Sequence, residues 1–386
     1  MLDGTLTQPR RRFREHSFGV VRKFLRMNWL FTLAVCTLAG VGYAALYSAG
    51  GGSPFPYAQP QIIRFAAMLL MMFGIAMIDI RVLARLSWSA YALGLVLLVV
   101  VMAAGHTGLG AKRWIDLGPI EIQPSELMKP FLAMALARYF MRASADQTGS
   151  LLYVAPAVVA VLIPVGLILK EPNLGTAVIT GTIGCTVMLG AGVRWWWFAI
   201  VIAVIAVCAP VIYHHLHDYQ RARIDTFFNP GADPLGAGYN IIQSKIALGS
   251  GGLTGQGYLH GTQNQLNFLP EKQTDFVFTI IAEEFGYLGS LATLGLLFSI
   301  VGLALYTALT CQHMYGRLLA LGLATNFFLY CFVNLSMVMG LIPVGGVPIP
   351  LISYGGSALT AVMLGFGVLQ SIHVHRDVEF AAPGRF

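Results

Sequence analysis

The stretch WLFTLAVCTLAGVGYAALYSA, residues 29–49, contains no charged residue and decides the fold class. About 20 such residues in an α-helix cross the roughly 30 Å hydrocarbon core of a bilayer. The stretch is too long for the apolar part of a typical signal peptide, and the glycines at 50–52 that follow it offer no convincing cleavage site. We therefore interpret residues 29–49 as the first membrane-spanning helix.

The composition of the whole chain leads to the same conclusion. Of its 386 residues, 56% are apolar and 11% are charged, and the mean hydropathy is +0.70. Soluble domains carry about 25% charged residues. So few charges cannot cover a water-facing surface, which excludes the two soluble domains that the length alone suggests. The net charge of +7 is then better explained by membrane topology than by nucleic-acid binding.

Ten apolar segments of suitable length are visible along the chain. They cover 29–49, 61–80, 86–105, 125–142, 151–169, 174–192, 195–214, 276–307, 317–340 and 356–374. Every loop on the side of the N-terminus carries Arg, whereas the first and last loops of the other side, 50–60 and 341–355, carry neither Lys nor Arg. Positive charge marks the cytoplasmic side. The sequence thus predicts an all-α polytopic membrane protein with about ten transmembrane helices and both termini in the cytoplasm.

This topology divides the chain into a membrane domain and two short tails. Residues 1–28 are predicted to form a basic cytoplasmic tail, 29–375 a single ten-span membrane domain, and 376–386 a cytoplasmic C-terminal tail. One large extracytoplasmic loop, 214–275, connects spans seven and eight. Loops of this length are usually functional or disordered.

The large loop contains two features with structural meaning. The apolar stretch 240–246 is typical of a short helix that lies in or re-enters the membrane interface. Five glycines follow between 249 and 257. We interpret them first as loop flexibility and second as a close approach of backbone to a ligand.

Asp275 closes the large loop just before the apolar run 276–307. That run is longer than the bilayer requires, so part of its helix is expected to tilt or protrude. Asp275 is then predicted to lie near the outer interface. A carboxylate there suits a general base. It equally suits an N-cap that starts the helix, and spacing alone favours the cap.

Two adjacent acids, Glu283 and Glu284, lie inside the same apolar run. Carboxylates within a membrane-spanning segment are costly and usually face a partner or a polar cavity. Binding a metal or a Lys and a purely structural role are equally consistent with the pattern.

Several cations are predicted on the outer side. Lys129 follows Glu126 by three residues at the start of span four, where a cation opposes the helix dipole. Pairing with Glu126 is one explanation. The other is an anionic ligand at the outer surface, which further outer cations would also contact. These are Lys112, Arg113, Arg221 and Arg223.

Four motifs together resemble the SEDS family of polytopic membrane proteins, which includes RodA and FtsW. The motifs are Arg113-Trp114-Ile115 with Gln123-Pro124-Ser125-Glu126, then 240–252, 269–286 and 348–357. The resemblance covers about residues 29–374 and includes the ten-span topology. The stretches 344–348 and 240–245 look more like RodA than FtsW.

The resemblance implies a peptidoglycan glycosyltransferase that polymerises lipid II at the outer face of the bacterial cytoplasmic membrane during elongation of rod-shaped cells. Asp275 matches the essential loop aspartate of the family, so catalysis leads the cap interpretation. Glu126 and Lys129 match a pair on span four. The predicted substrate-binding residues are Lys129, Glu126, Arg113, Lys112, Trp114, Arg221, Arg223, Lys245, Lys272, Ser353 and Tyr354.

A divalent cation, Mg²⁺ or Mn²⁺, is a further expectation from the resemblance. The segment 171–176 commonly has Asp where this chain has Asn173. If that Asp helps to hold a cation, the role weakens here or moves to Glu171. Glu171 and Glu283 are the predicted metal ligands.

The expected partner is a class B penicillin-binding protein, a transpeptidase that cross-links the glycan, together with other elongation-complex proteins. Two alternatives stay open on the sequence. A lipid II flippase would use Glu283 and Glu284 along a translocation path, although the chain shows no internal repeat. A scaffold that only recruits a cell-wall synthase leaves Asp275 and Lys129 without a role.

Overall fold

The computed structural model describes residues 19–108, 111–116, 121–215, 218–228, 237–266, 268–269, 271–343, 345–378 and 380. Residues 1–18 of the predicted N-terminal tail and most of the predicted C-terminal tail lie outside this range. So do the side chains of Lys112 and Arg223.

Fifteen helices and three short strands make up the described chain. The helices are α1 Val20–Leu25, α2 Trp29–Ala49, α3 Ala58–Ala76, α4 Ile80–Ala104, α5 Pro124–Phe140, α6 Ala145–Thr148, α7 Leu151–Lys170, α8 Leu174–Gly190, α9 Trp195–His215, α10 Asp218–Phe228, α11 Ala237–Ser250, α12 Thr262–Gln265, α13 Val277–Thr310, α14 Met314–Val338 and α15 Gly356–Val374. The strands are β1 His106–Gly108, β2 Ala111–Asp116 and β3 Glu121–Ile122.

A helix occupies each of the ten predicted apolar segments, and the predicted fold class is confirmed. Among the described residues, seven helices are long and apolar enough to cross a membrane, namely α2, α3, α4, α7, α13, α14 and α15. Leu174–Gly190 and Trp195–Cys208 are shorter apolar helices. α5 is short and carries Glu126, Lys129 and Arg138, which explains its lower hydropathy.

Helices α5, α14 and α15 form the centre of the bundle, since most of their side chains are buried. Aromatic rings join the centre to α2. Phe366 of α15 lies edge-on to Phe31 of α2 at 4.9 Å and packs against Phe327 of α14 at 5.2 Å. Such aromatic pairs add to the free energy gained from burial alone.

Both described chain ends lie at one end of the bundle. Arg26 and Asp377 form an ion pair at 3.0 Å, and Lys23 donates to the carbonyl of Met77 at 2.7 Å between α3 and α4. This placement agrees with the prediction that both termini lie on one side of the membrane.

The described residues between 105 and 123 are not helical, which the all-α expectation did not include. β1 pairs with β2, and β2 pairs with β3, in a three-stranded antiparallel sheet. Its strands are too short to show a period-two pattern in sequence. The large loop also contains structure, because α10, α11 and α12 lie within it. The predicted short helix at 240–246 is confirmed as part of α11.

The long helix α13 breaks rather than simply tilting. Gly286 has φ 65° and ψ −159°, which interrupts the helical path between residues 277–285 and 287–310. The glycine-rich stretch 251–257 lies against the break. Gln256 and Gly257 donate backbone hydrogen bonds to the carbonyls of Glu283 and Glu284, at 2.9 and 3.1 Å.

The bonds also run in the opposite direction across the break. Tyr287 N donates to Gly252 O at 2.9 Å, and Leu288 N donates to Leu253 O at 3.1 Å. These partners satisfy the polar groups that the broken helix leaves free, as an apolar environment requires.

Two of the five glycines, Gly251 and Gly255, closely approach the backbone of α13, which the interpretation as loop flexibility did not anticipate for them. A Cβ on Gly255 would lie 2.1 Å from Glu284 O, and a Cβ on Gly286 would lie 2.3 Å from Gly255 N. Only residues without side chains allow the two backbones to approach this closely.

We predict that Gly286→Ala destabilises the protein. The new methyl group would clash with the loop at a backbone conformation that L-residues avoid, at a cost of about 1–3 kcal/mol. Titration with sodium dodecyl sulfate, followed by intrinsic fluorescence, measures the change in unfolding free energy. Gly302→Ala in the same helix is the matched control, because a Cβ there meets no described atom within 4 Å. Equal destabilisation by both variants would contradict this explanation of the break.

Candidate active site

Asp275 lies immediately before α13 but does not cap it. The N-cap residue is Phe276, whose side chain makes no capping hydrogen bond. The capping interpretation of Asp275 is thus wrong. The backbone of Asp275 is held on both sides, since its N–H donates to Glu271 O at 3.1 Å and its carbonyl accepts from Asn334 Nδ2 at 2.8 Å. The half-buried carboxylate faces Gly346, with Oδ2 3.7 Å from the position of a Cβ on that glycine.

The stretch 339–355, which we call the α14–α15 loop, forms the floor of this region. Tyr354 N donates to the carbonyl of Gln273 at 2.8 Å, close to Asp275 in the chain. Buried Ser353 accepts from Ile349 N at 3.0 Å, and its own carbonyl accepts from Gln61 of α3 at 2.9 Å. The loop is therefore fixed to both α3 and the segment that carries Asp275.

Three charged side chains are distributed along this loop. Lys245 of α11 lies against its start, with Nζ 2.9 Å from a Cβ on Gly340. Asp275 lies against its middle at Gly346. Arg64 of α3 lies at its end, with its guanidinium carbon 4.9 Å from the centre of the Tyr354 ring. Lys245, Asp275 and Arg64 thus follow one another along the loop as a row of cation, carboxylate and cation. This arrangement is suited to binding an anionic substrate whose reaction requires a proton acceptor.

Sequence reasoning missed Arg64 and Asn334 as candidate site residues. The available signals were weak. Arg64 is the one charged residue of α3, and Asn334 is one of two amides in the otherwise mostly apolar α14. Neither signal says which loop the side chain contacts.

Lys129 lies in the bundle interior and not at the outer surface. Its Nζ donates to Glu126 Oε1 at 2.8 Å and to the hydroxyl of Tyr330 at 2.7 Å. The same hydroxyl donates to the other oxygen of Glu126. All three side chains are more than nine-tenths buried. Of the two open explanations for Lys129, the structure shows the pairing with Glu126 within α5. Tyr330 of α14 hydrogen-bonds to both side chains of this pair.

Two other predicted cations, Arg113 and Arg221, contact carbonyl oxygens. Arg113 of β2 donates to the carbonyls of Glu171 and Pro172, which ties the sheet to the turn between α7 and α8. Arg221 of α10 donates to the carbonyls of Tyr213 and His214, at the end of α9. Trp114 is half-buried in β2. The described members of the predicted cation group thus do not converge on one point.

Glu283 and Glu284 anchor the large loop to α13. Glu283 accepts from Thr262 Oγ1 at 3.1 Å and from Gln263 N at 2.9 Å. Glu284 accepts from the hydroxyl of Ser48, at the end of α2. These contacts correspond to the structural interpretation of the acid pair.

Lys272 belongs to the same polar network. Its Nζ donates to the carbonyl of Asn264 at 2.8 Å, and Asn264 Nδ2 donates to Ser48 Oγ at 2.9 Å. Burial lowers the pKa of the Lys272 ammonium, and the nearby Glu284 partly offsets this effect. Lys272 is 9% exposed, so it braces the loop rather than facing the row of charged groups.

Glu171, which follows α7, is a buried acid whose carboxylate lacks hydrogen-bond partners among the described residues. It is 3% exposed. Burial raises its pKa to about 8, although Arg113 acts in the opposite direction. The neighbouring Asn173 caps α8 by accepting from Thr176 N at 3.4 Å.

A divalent-cation site built from protein side chains alone does not fit this region. No group of three or more His, Cys, Asp or Glu residues comes together anywhere in the described part of the chain. Glu171 offers a single buried carboxylate, and Glu283 already accepts two hydrogen bonds. Mg²⁺ is commonly held by one or two carboxylates together with substrate phosphates, and that arrangement remains compatible with Glu171.

An apolar groove runs along α13 and α14 and ends near Lys245. Two adjoining cavities of about 320 and 260 Å³ share Leu294 and Met339 in their walls. Met339 directly precedes Gly340, which Lys245 contacts. The apolar groove therefore ends beside the exposed ammonium group of Lys245.

We predict that Lys129→Met is strongly destabilising and that Glu126→Gln in the same chain restores part of the loss. Removing one partner of a buried ion pair leaves the other charge uncompensated, which costs about 3–5 kcal/mol. The unfolding free energies of both single variants and the double variant measure this coupling. Losses that simply add would show that the two charges do not depend on each other.

Comparison with known proteins places most of the chain in one family. The FtsW/RodA/SpoVE family model, described as "Cell cycle protein", matches residues 24–378. The peptidoglycan glycosyltransferase MrdB of Escherichia coli K12 is 42% identical over 349 residues, which cover 90% of this chain and 94% of MrdB.

Two solved structures share the fold. One, reported for structural coordination of polymerization and crosslinking by a peptidoglycan synthase complex, matches with a TM-score of 0.79 at 31% identity, over 91% of this chain and 98% of that one. The rod shape determining protein RodA of Thermus thermophilus matches with a TM-score of 0.69 at 27% identity, over 92% and 98%. The chain therefore belongs to the SEDS family, and it resembles the RodA members of that family.

Proposed function

We propose that this protein is a peptidoglycan glycosyltransferase that polymerises lipid II at the outer face of the cytoplasmic membrane for cell elongation. The observation that carries the proposal is the placement of Asp275. Its backbone is fixed by two hydrogen bonds, and its carboxylate lies against the α14–α15 loop between Lys245 and Arg64. The relative named peptidoglycan glycosyltransferase MrdB supports the reaction class.

The reaction joins two membrane-anchored substrates. A sugar hydroxyl of the acceptor attacks the anomeric carbon of the donor, and the bond from that carbon to the pyrophosphate breaks. Asp275 takes the hydroxyl proton, and undecaprenyl pyrophosphate leaves with the bonding electron pair. A positioned general base contributes roughly 10²–10⁴ to the rate. Because the described row contains a single carboxylate, direct displacement with inversion is the proposed course.

The leaving pyrophosphate needs positive charge that is already in place. Lys245 and Arg64 flank Asp275 along the loop and supply it. Preoriented charges at the point where negative charge develops lower the barrier most effectively. The apolar groove that ends at Gly340 would hold the isoprenoid chain of one substrate, which places its pyrophosphate next to Lys245.

Mg²⁺ or Mn²⁺ is proposed as an accessory ion and not as a resident cofactor. Glu171 would hold it together with the pyrophosphate oxygens of the substrate. Such an ion neutralises charge on the leaving group when bound. Proton removal and substrate orientation remain with the side chains of the protein.

A class B penicillin-binding protein is the proposed partner, with other elongation-complex proteins at the same site of synthesis. The similarity to a chain from a peptidoglycan synthase complex that coordinates polymerization and crosslinking supports this assignment. The glycan strand made at the outer face is the substrate that a transpeptidase cross-links. The proposed functional unit is therefore a polymerase and a transpeptidase in one membrane.

We expect Asp275→Asn to lower glycan polymerisation at least about 100-fold, since the amide cannot accept the proton. The assay uses purified protein, lipid II and Mg²⁺, with and without the transpeptidase partner, and gel separation of the products. Glu271→Gln is the matched control. It removes an exposed carboxylate four residues away that accepts hydrogen bonds from Gln273 and Thr274.

Polymer formation at the wild-type rate by Asp275→Asn would exclude Asp275 as the base. The lack of polymer from the wild-type protein with its partner present would argue against the enzyme. Lipid II transport across vesicles would then favour the flippase.

We expect Lys245→Gln to raise the KM for lipid II and also to lower kcat, because this cation acts on the pyrophosphate both in the bound substrate and as it leaves. Lys245 contacts the pyrophosphate already in the bound substrate, so its loss weakens ground-state binding. Initial rates over a range of lipid II concentrations separate the two constants. Arg85→Gln removes the same charge at an exposed position near the start of α4, at the opposite end of the bundle, and serves as the control. An unchanged KM for Lys245→Gln would rule out this contact.

A further inference from the structure

Asn334 is fully buried near the end of α14 and has an unusual set of partners. Its Nδ2 group donates to the carbonyl of Asp275 at 2.8 Å and to the carbonyl of Val347 at 2.7 Å. No described residue hydrogen-bonds to its Oδ1 atom. Both N–H groups of one amide thus join the segment that carries Asp275 to the loop that faces it.

The two bonded carbonyls flank the reactive carboxylate. Val347 follows Gly346, and Gly346 is the residue that the Asp275 carboxylate faces. The amide of Asn334 therefore fixes the separation between the base and the wall opposite it. A change of about 1 Å in such a separation can cost roughly 100-fold in rate.

The helix that carries Asn334 is itself fixed in the bundle. Tyr330 lies four residues earlier on α14, so it shares the same helix face. Its hydroxyl is bonded to both Glu126 and Lys129 of α5. The buried ion pair thereby holds α14 against α5, and α14 in turn presents Asn334 to the base.

We propose that Asn334 is a positioning residue that holds the Asp275 carboxylate against the α14–α15 loop, with Tyr330 and the Glu126–Lys129 pair fixing the helix that carries it. This inference rests on the proposed function, in which Asp275 is the base. Asn334 does not touch the substrate. The competing explanation is that Asn334 only satisfies two buried carbonyls and so contributes to stability.

The test compares Asn334→Leu and Asn334→Asp with wild type in the lipid II polymerisation assay. Both variants keep the size of the side chain and remove the two N–H donors. Rates are expressed per folded molecule, measured from the monodisperse fraction on size exclusion. We expect kcat to fall at least about tenfold while KM changes less than about threefold, as for a group that acts on the transition state.

Asn326→Leu is the control for a buried amide lost from the same helix. Asn326 lies two turns earlier, is also buried, and has no described partner on Oδ1. We expect its kcat per folded molecule to stay within about threefold of wild type, because it does not reach the site. If Asn334→Leu yields no folded protein, Asn334→Ser keeps one donor and is expected to give an intermediate loss.

A double-mutant cycle with Asp275→Glu identifies positioning directly. Asp275→Glu keeps a carboxylate but displaces it, so residual activity stays measurable. If Asn334 acts through Asp275, the combined loss is at least about threefold smaller than the product of the single losses.

Purely multiplicative losses, or kcat values of both Asn334 variants within about threefold of wild type, would overturn the proposal. Full activity of Asp275→Asn would instead refute the base itself, so the two failures are distinguishable.

Discussion

The half of the protein that contains the large loop depends on hydrogen bonds that pair the backbone groups at the break in α13. A helix that stops inside an apolar bundle leaves backbone N–H and C=O groups without partners, at a cost of several kcal/mol for each group. Four backbone hydrogen bonds from the 252–257 stretch supply the missing partners. This close contact requires glycine at 255 and 286. The carboxylates of Glu283 and Glu284 then hold the remainder of the loop.

The break also explains how Asp275, the proposed base, can be held precisely although it lies on a loop. The loop that leads into Asp275 is fixed at Gly257 by backbone bonds and at Asn264 by Ser48. Asp275 itself is fixed by Asn334, which projects from the buried helix α14. The proposed base, although carried on a long loop, is thus fixed to the rigid central bundle. Catalytic groups need this support from surrounding structure to hold productive geometry.

The sequence predicted the architecture well and the contacts poorly. Ten apolar segments located ten helices, because length and hydropathy depend only on local composition. The break at Gly286 was not predictable, since the apolar run continues through it and the loop segment 252–257 that pairs with it lies about 30 residues earlier. Lys129 illustrates the same limit. Its spacing from Glu126 was clear, but burial against Tyr330 depends on how α5 meets α14. Arg64 gave no signal that linked it to Tyr354, because the two are distant in the chain.

The most direct test of the central claim is the structure of the protein with a lipid II analogue that binds but cannot react. We expect the pyrophosphate of one bound molecule beside Lys245, at the end of the α13–α14 groove that is nearest to Gly340. We expect the acceptor hydroxyl at roughly 3 Å from the Asp275 carboxylate, which is the reach of a general base. A bound head group at the opposite end of the bundle, or one that leaves Asp275 without any contact, would contradict the assignment.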